Sequence, residues 1–160
     1  MTKNNAILLL MLLSALGSCV NPNQDIQIHS LNGIWPKSEI QKFQFEIKEA
    51  QNPKNIIFVV RNNNEYPYLD LNLKVITRVD STKVILSDRV KLQLAESNGE
   101  WKGKGFGDTK EVLFTYKSQF KFPENGLYTL EVSPEMVRKT LLGIEDFGIK
   151  IQTAQLKDGK

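Results

Sequence analysis

A chain of 160 residues has room for one domain with a sizeable core. Its hydrophobic fraction of 41% and charged fraction of 24% are ordinary globular values. The formal charge of +3 comes from Lys and Arg interleaved with acids along the chain, without a basic stripe, which speaks against nucleic acid as a partner.

The first element in chain order is a secretion signal. Lys3 gives a basic start, and Ala6 to Leu16 is almost purely apolar. That run is too short for a bilayer span, which needs roughly 20 residues, but it suits the core of a signal peptide. Leu16-Gly17-Ser18-Cys19 follows and resembles the lipobox of bacterial lipoproteins. Small side chains let the backbone enter a signal peptidase, and the thiolate of Cys19 is the nucleophile that takes up a diacylglycerol. The new amino terminus is then acylated, palmitate being a usual chain. Cys19 is the single cysteine, so no intramolecular disulfide competes for it. Two or three acyl chains make a stable anchor, at about 0.8 kcal/mol per buried CH₂. Residues 1–18 therefore read as signal peptide and 19–25 as a lipidated polar tether.

From Ile26 the period is two. Phe43, Phe45 and Ile47 alternate with polar residues, as do Leu69, Leu71, Leu73, Val75 and Val79. Val84, Leu86, Val90, Leu92 and Leu94 share one parity, broken by Asp88. Val112, Phe114, Tyr116, Phe120 and Phe122 share another; Tyr128, Leu130 and Val132, then Phe147, Ile149 and Ile151, complete the set. Ile56 to Val60 is apolar on both parities and predicts a central strand covered on both sides. Turns fall at Asn52-Pro53, Asn62 to Asn64, Asp80-Ser81, Asn98-Gly99 and Asn125-Gly126. The pattern predicts an all-β fold: a single antiparallel β-sandwich over 26–160, jelly-roll-like, with roughly eight strands. One short helical turn is expected over 134–141, with Ser133 as N-cap, Pro134 at the first helical position and Gly143 as the stop.

Catalytic constellations are weak. Gly103, Gly105 and Gly107 lack the spacing of a phosphate loop and read as a glycine-bearing hairpin arm with a bulge. His29, the one histidine, is expected at the surface, and Glu145-Asp146, adjacent on a strand, point to opposite faces. No catalytic residue, metal ligand or cofactor site is assigned. Tyr66 and Tyr68, with Trp35 and Trp101, form the more distinctive set. They suit a protein-binding hot spot or a sugar-stacking platform, or pack onto the end of the sandwich.

Four segments carry a family resemblance: VVRNNNEYPYLDLNLKV, NGEWKGKGFGD, FKFPENGLYTLEV and LLGIEDFGIKI. In order and spacing they resemble the GldH gliding motility lipoproteins of the Bacteroidetes, from about Phe43 to Ile151. One departure is that Val137 separates Met136 from Arg138, where the family pattern has Arg directly after Met. The resemblance implies a process and no reaction: support of gliding motility or type IX secretion by binding another envelope component. A carbohydrate-binding module using the loop aromatics is the alternative. Among lipoproteins of this kind, an acidic run after the cysteine resembles a surface-export signal; Val20-Asn21-Pro22-Asn23-Gln24 has none. The expected location is the outer membrane, on its periplasmic face. Asp80-Ser81-Thr82 resembles a Bacteroidetes O-glycosylation acceptor, with Ser81 as the modified residue.

Overall fold

The structure is a computed structural model and describes residues 24–105 and 107–155. The signal peptide, the lipobox and Cys19 lie outside the described residues. The strands are β1 (Gln24–Ser30), β2 (Ile34–Pro36), β3 (Gln41–Ile47), β4 (Lys54–Asn62) and β5 (Asp70–Val79). They continue as β6 (Lys83–Gln93), β7 (Lys110–Phe120), β8 (Gly126–Pro134), β9 (Thr140–Leu142) and β10 (Ile144–Thr153). Two four-stranded antiparallel sheets, β1-β10-β4-β7 and β3-β8-β5-β6, make the sandwich, and β2 pairs with β9 in a small third sheet.

The period-two reading is visible in the burial. In β3, Phe43, Phe45 and Ile47 are buried and Lys42, Gln44 and Glu46 exposed. In β5 the inward parity is Leu71, Leu73, Val75, Thr77 and Val79. The core centres on Phe147, whose ring lies 5.3 Å from Trp35, 5.4 Å from Phe58 and 5.9 Å from Phe43. Each of these side chains gains about 1.5–3 kcal/mol from complete burial. β4 is an interior strand as expected, between β10 and β7. On its outward parity Val59 is buried and Ile57 half-buried, with no further layer of strands over them among the described residues.

Ten strands stand among the described residues where roughly eight were expected, and the helical turn at 134–141 is corrected. Ser133 precedes a proline and stays extended, as the steric clash with a proline ring demands. β8 runs through Pro134, and Glu135 N–H donates to Asn72 O at 2.8 Å, prolonging the contact with β5. Leu141 is then buried by pairing of β9 with β2. Long-range pairing outweighs the capping signals, which by themselves contribute only about 1 kcal/mol.

The two open sides of the sandwich close by different chemistry. At the β1/β3 side, Gln27 exchanges side-chain bonds with the Gln44 backbone. His29 stacks on Phe43 at 4.3 Å, half-buried rather than at the open surface. Gln41 turns its amide nitrogen to Glu39, so its oxygen faces the imidazole and His29 Nδ1 donates at 2.8 Å. At the β6/β7 side a register shift in β7 brings both Tyr116 and Lys117 to Asp88. Tyr116 Oη donates to Asp88 at 2.8 Å and Lys117 Nζ at 2.6 Å. The Lys117 hydrogen bond leads in holding the Asp88 carboxyl below the usual carboxylate range, while burial raises the Tyr116 phenol above its own. Asp88, a break in the sequence parity, is the polar clasp of this seam.

Candidate functional site

The strand directions sort the connections into two ends. β1 enters beside the exit of β10, with Gln24 opposite Gln152. This tether end carries the tight turns between β5 and β6 and between β7 and β8. The opposite end carries the segments between β1 and β3, β4 and β5, β6 and β7, and β8 and β10. Strands of ten residues separate the two ends by about 30 Å.

The four aromatics singled out above all belong to this loop end, in unequal positions. Trp35 is fully buried; its Nε1–H donates to Glu39 O at 3.0 Å and its ring packs on Phe147. Tyr66 is buried too, with its hydroxyl donating to Asp70 O at 2.7 Å. Burial, followed by Tyr68 and Asp70, holds its phenol well above the usual range. Tyr68 stands edge-on to Tyr66 at 5.8 Å and Trp101 lies 6.4 Å from it; both remain half-exposed. Trp101 Nε1–H donates to Asn64, which in turn donates to Asp108. Two of the four residues are therefore internal supports, and only Tyr68 and Trp101 offer surface.

A glycine fixes this loop. At Gly143, between β9 and β10, a Cβ would lie 2.2 Å from the Tyr66 backbone nitrogen, and φ is +80°. Asn63 N–H donates to Gly143 O at 2.9 Å, and the Asn63 side chain donates to Glu145 at 2.5 Å. Glu145 and Asp146 take separate partners: Asp146 faces Arg61 at 3.5 Å, and Arg61 also binds Glu111 at 2.7 Å. The Glu111 hydrogen bond leads in raising the Arg61 guanidinium further above its already high value. Gly103 and Gly105 flank Lys104, which exchanges two backbone hydrogen bonds with Glu111 in an antiparallel bridge across the start of β7.

Sequence reasoning passed over the β2/β9 unit. Ile34 and Leu142 pair across it and are exposed, and Val137, in the connection before β9, projects fully. Lys37 N–H donates to Lys139 O, so Lys37, Arg138 and Lys139 gather here; none has an ion-pair partner among the described residues. The signal was present in the run from Met136 to Leu142, but its reading as a helix hid it. At the tether end a cleft of about 660 Å³ is lined by Asp25, Glu46, Glu49, Lys48 and Lys54. Lys48 pairs with Glu46, Lys54 donates to Thr153 and Glu49 accepts from Asn52. Among the described residues no group of His, Cys, Asp and Glu is placed to hold a metal ion, and no helix is long and apolar enough to cross a membrane.

The strand order defines a two-sheet antiparallel β-sandwich with its longer connections gathered at one end. A family model described as GldH lipoprotein matches residues 25–151, and the chain belongs to that family of cell-envelope lipoproteins of gliding motility. It is 33% identical over 125 residues to a gliding motility lipoprotein GldH homolog of Christiangramia forsetii, covering 74% of this chain and 76% of that one. It is 31% identical over 160 residues to the gliding motility lipoprotein GldH of Flavobacterium johnsoniae, covering 94% and 96%. Among solved structures, dimeric latent PorU from Porphyromonas gingivalis overlaps 86% of this chain and 13% of its own length. Its TM-score is 0.35 at 11% identity.

Proposed function

We propose that the protein is held by acyl chains on Cys19 at the periplasmic face of the outer membrane. There it supports gliding motility, or the type IX secretion that accompanies it, by docking another envelope protein against its loop end. In this reading the domain binds and does not catalyse. The observation that carries it is polarity. The lipid-bearing residue is five positions before Gln24, a reach of about 17 Å, so the tether end stays near the bilayer. The long loops, Tyr68, Trp101 and the apolar, basic β2/β9 unit then point away from the membrane toward a partner. A patch that combines exposed Ile34, Val137 and Leu142 with Lys37, Arg138 and Lys139, which have no ion-pair partner among the described residues, suits an apolar protein surface rimmed by acids. Ser81, exposed at a turn tip on the tether end, is the residue offered for O-glycosylation.

Photo-crosslinking from position 137 in living cells, with mass spectrometry of the product, tests the docking. Recovery of one motility or secretion component, abolished when Lys37, Arg138 and Lys139 are all changed to Glu, supports it. Recovery of none, together with glycan binding lost in Tyr68→Ala, replaces it with a carbohydrate-binding function. Labelled fatty acid absent from the wild-type protein, or retained in Cys19→Ala, overturns the anchor. Digestion of the domain by protease added to intact cells overturns the periplasmic location.

A further inference from the structure

The two open sides of the sandwich are covered to different depths. On the β1/β3 side, the inward residues Phe43, Phe45 and Ile47 are buried, and the Gln27 side chain takes both backbone groups of Gln44. On the β6/β7 side, the inward residues Val90, Val112, Phe114, Tyr116 and Phe120 are all half-buried. The chain itself closes only the loop end of this side. Trp101 bridges to Ala95 just beyond β6, where Lys102 N–H donates to Leu94 O at 2.9 Å. Two residues on, Lys104 exchanges two backbone hydrogen bonds with Glu111 on β7. A short segment thus crosses from one free edge to the other by strand-type pairing. Toward the tether end, β6 finds no backbone partner other than β5 among the described residues. An edge that is regular and unpaired is a template for another strand. β6 is such an edge, since its pairing with β5 runs without a shift from Leu86 to Gln93. β7 is not, because its register shifts twice and Gln119 takes a positive φ.

The side chains of β6 say what such a strand carries. The outward parity presents Arg89 and Lys91, and Lys74 of β5 stands directly beside Arg89. Lys74 has no ion-pair partner among the described residues. Like charges side by side cost stability, and acids on an added strand would relieve that cost. The inward parity, Val90 and Leu92, calls for apolar residues at the alternate positions. An inward-pointing charge ordinarily protects an edge, but Asp88 is already paired with Lys117 and bonded by Tyr116. We propose that β6 accepts, as an added strand, an extended segment of another protein that alternates acidic and apolar residues. A second copy is a poor occupant. Antiparallel pairing of two β6 strands would gather their cations and, with the anchor proposed above, turn one tether end away from the membrane.

The test uses detergent-solubilised full-length protein and a short synthetic peptide that alternates valine and glutamate. Fluorescence anisotropy should show saturable binding, about ten-fold tighter than for the same peptide with lysine in place of glutamate. Arg89→Glu combined with Lys91→Glu, both at exposed side chains, should reverse that preference. N-methylation of the peptide nitrogens removes its backbone donors and should abolish binding. Hydrogen exchange should slow between Leu86 and Gln93 when the peptide binds and stay unchanged in β3. Changing Lys37, Arg138 and Lys139 to Glu should leave peptide binding intact, which separates this edge from the loop-end docking. In living cells, a photo-crosslinker at exposed Ser87 should couple to another protein within a stretch of alternating acidic and apolar residues. The proposal is overturned by any of the contrary results. These are no saturable binding, equal binding of the lysine or N-methylated peptide, a preference unmoved by the double variant, protection outside β6, binding lost in the loop-end variant, or coupling from position 87 to a different kind of sequence, only to a second copy or to nothing.

Discussion

The two ends of the sandwich are built by opposite means. The tether end closes its strands with local chemistry: Asp80 and Ser81 both take positive φ, and Thr82 N–H returns to Val79 O at 3.3 Å. Two successive positive φ values are those of a type I′ turn, whose twist suits flanking strands, set here within a three-residue connection from Val79 to Lys83. The Asn125 side chain binds Ala50 N–H and ties two turns together. The loop end instead carries internal supports of its own, Trp35, Tyr66 and Leu141, under its long connections. The difference teaches that these connections are fixed by burial, so a partner would meet a surface already formed and little ordering entropy would be lost on binding.

Four substitutions break or sharpen that contrast. The largest effect is expected from Trp35→Ala, which removes the main support of the loop end and should cost about 3–5 kcal/mol in urea unfolding. Gly143→Ala should cost about 1–3 kcal/mol, because the added Cβ meets the Tyr66 backbone at a positive φ. If that variant unfolds like wild type, the loop is not held as described.

Asp88→Asn, midway between the ends, is the reference and should cost less than about 1 kcal/mol at pH 7. Its pH dependence carries a sign. The folded carboxyl titrates below its unfolded value of about 3.9, so its stabilisation is complete above that value. It is lost as pH falls through the lower folded value, and the Asn variant should lack this component of the acid decline in urea midpoint. The smallest effect, of opposite sign, is expected at the tether end. Ser81→Gly relieves a left-handed conformation and should stabilise by about 0.5 kcal/mol after the entropy of the unfolded chain is counted. Glycine is thus required at one end and absent where it would help at the other.

The strands were legible because each inward residue repeats at every second position, and a buried sheet face leaves no other periodicity. The misreadings fall where partners are distant in sequence. β2 and β9 are three residues each, and they pair across about a hundred residues of chain, which no local pattern announces. Trp35 and Tyr66 look like loop aromatics until that pairing buries them. Asp88 looks like a defect until a shifted register on the facing sheet supplies Tyr116 and Lys117. Thr77 keeps the inward parity with a hydroxyl that finds no partner among the described residues, and no structural reason for it is evident.

The pairing of β1 with β10 also has a mechanical meaning. β1 is an edge strand, bonded to β10 over all seven of its residues, and the chain segment leading to Cys19 leaves from its first residue. A pull between a membrane at that end and a load at the loop end runs along β1. Antiparallel hydrogen bonds lie across the strand, so such a pull strains the whole ladder together instead of peeling it one rung at a time. The strand next to the tether is thereby in the geometry that resists traction best.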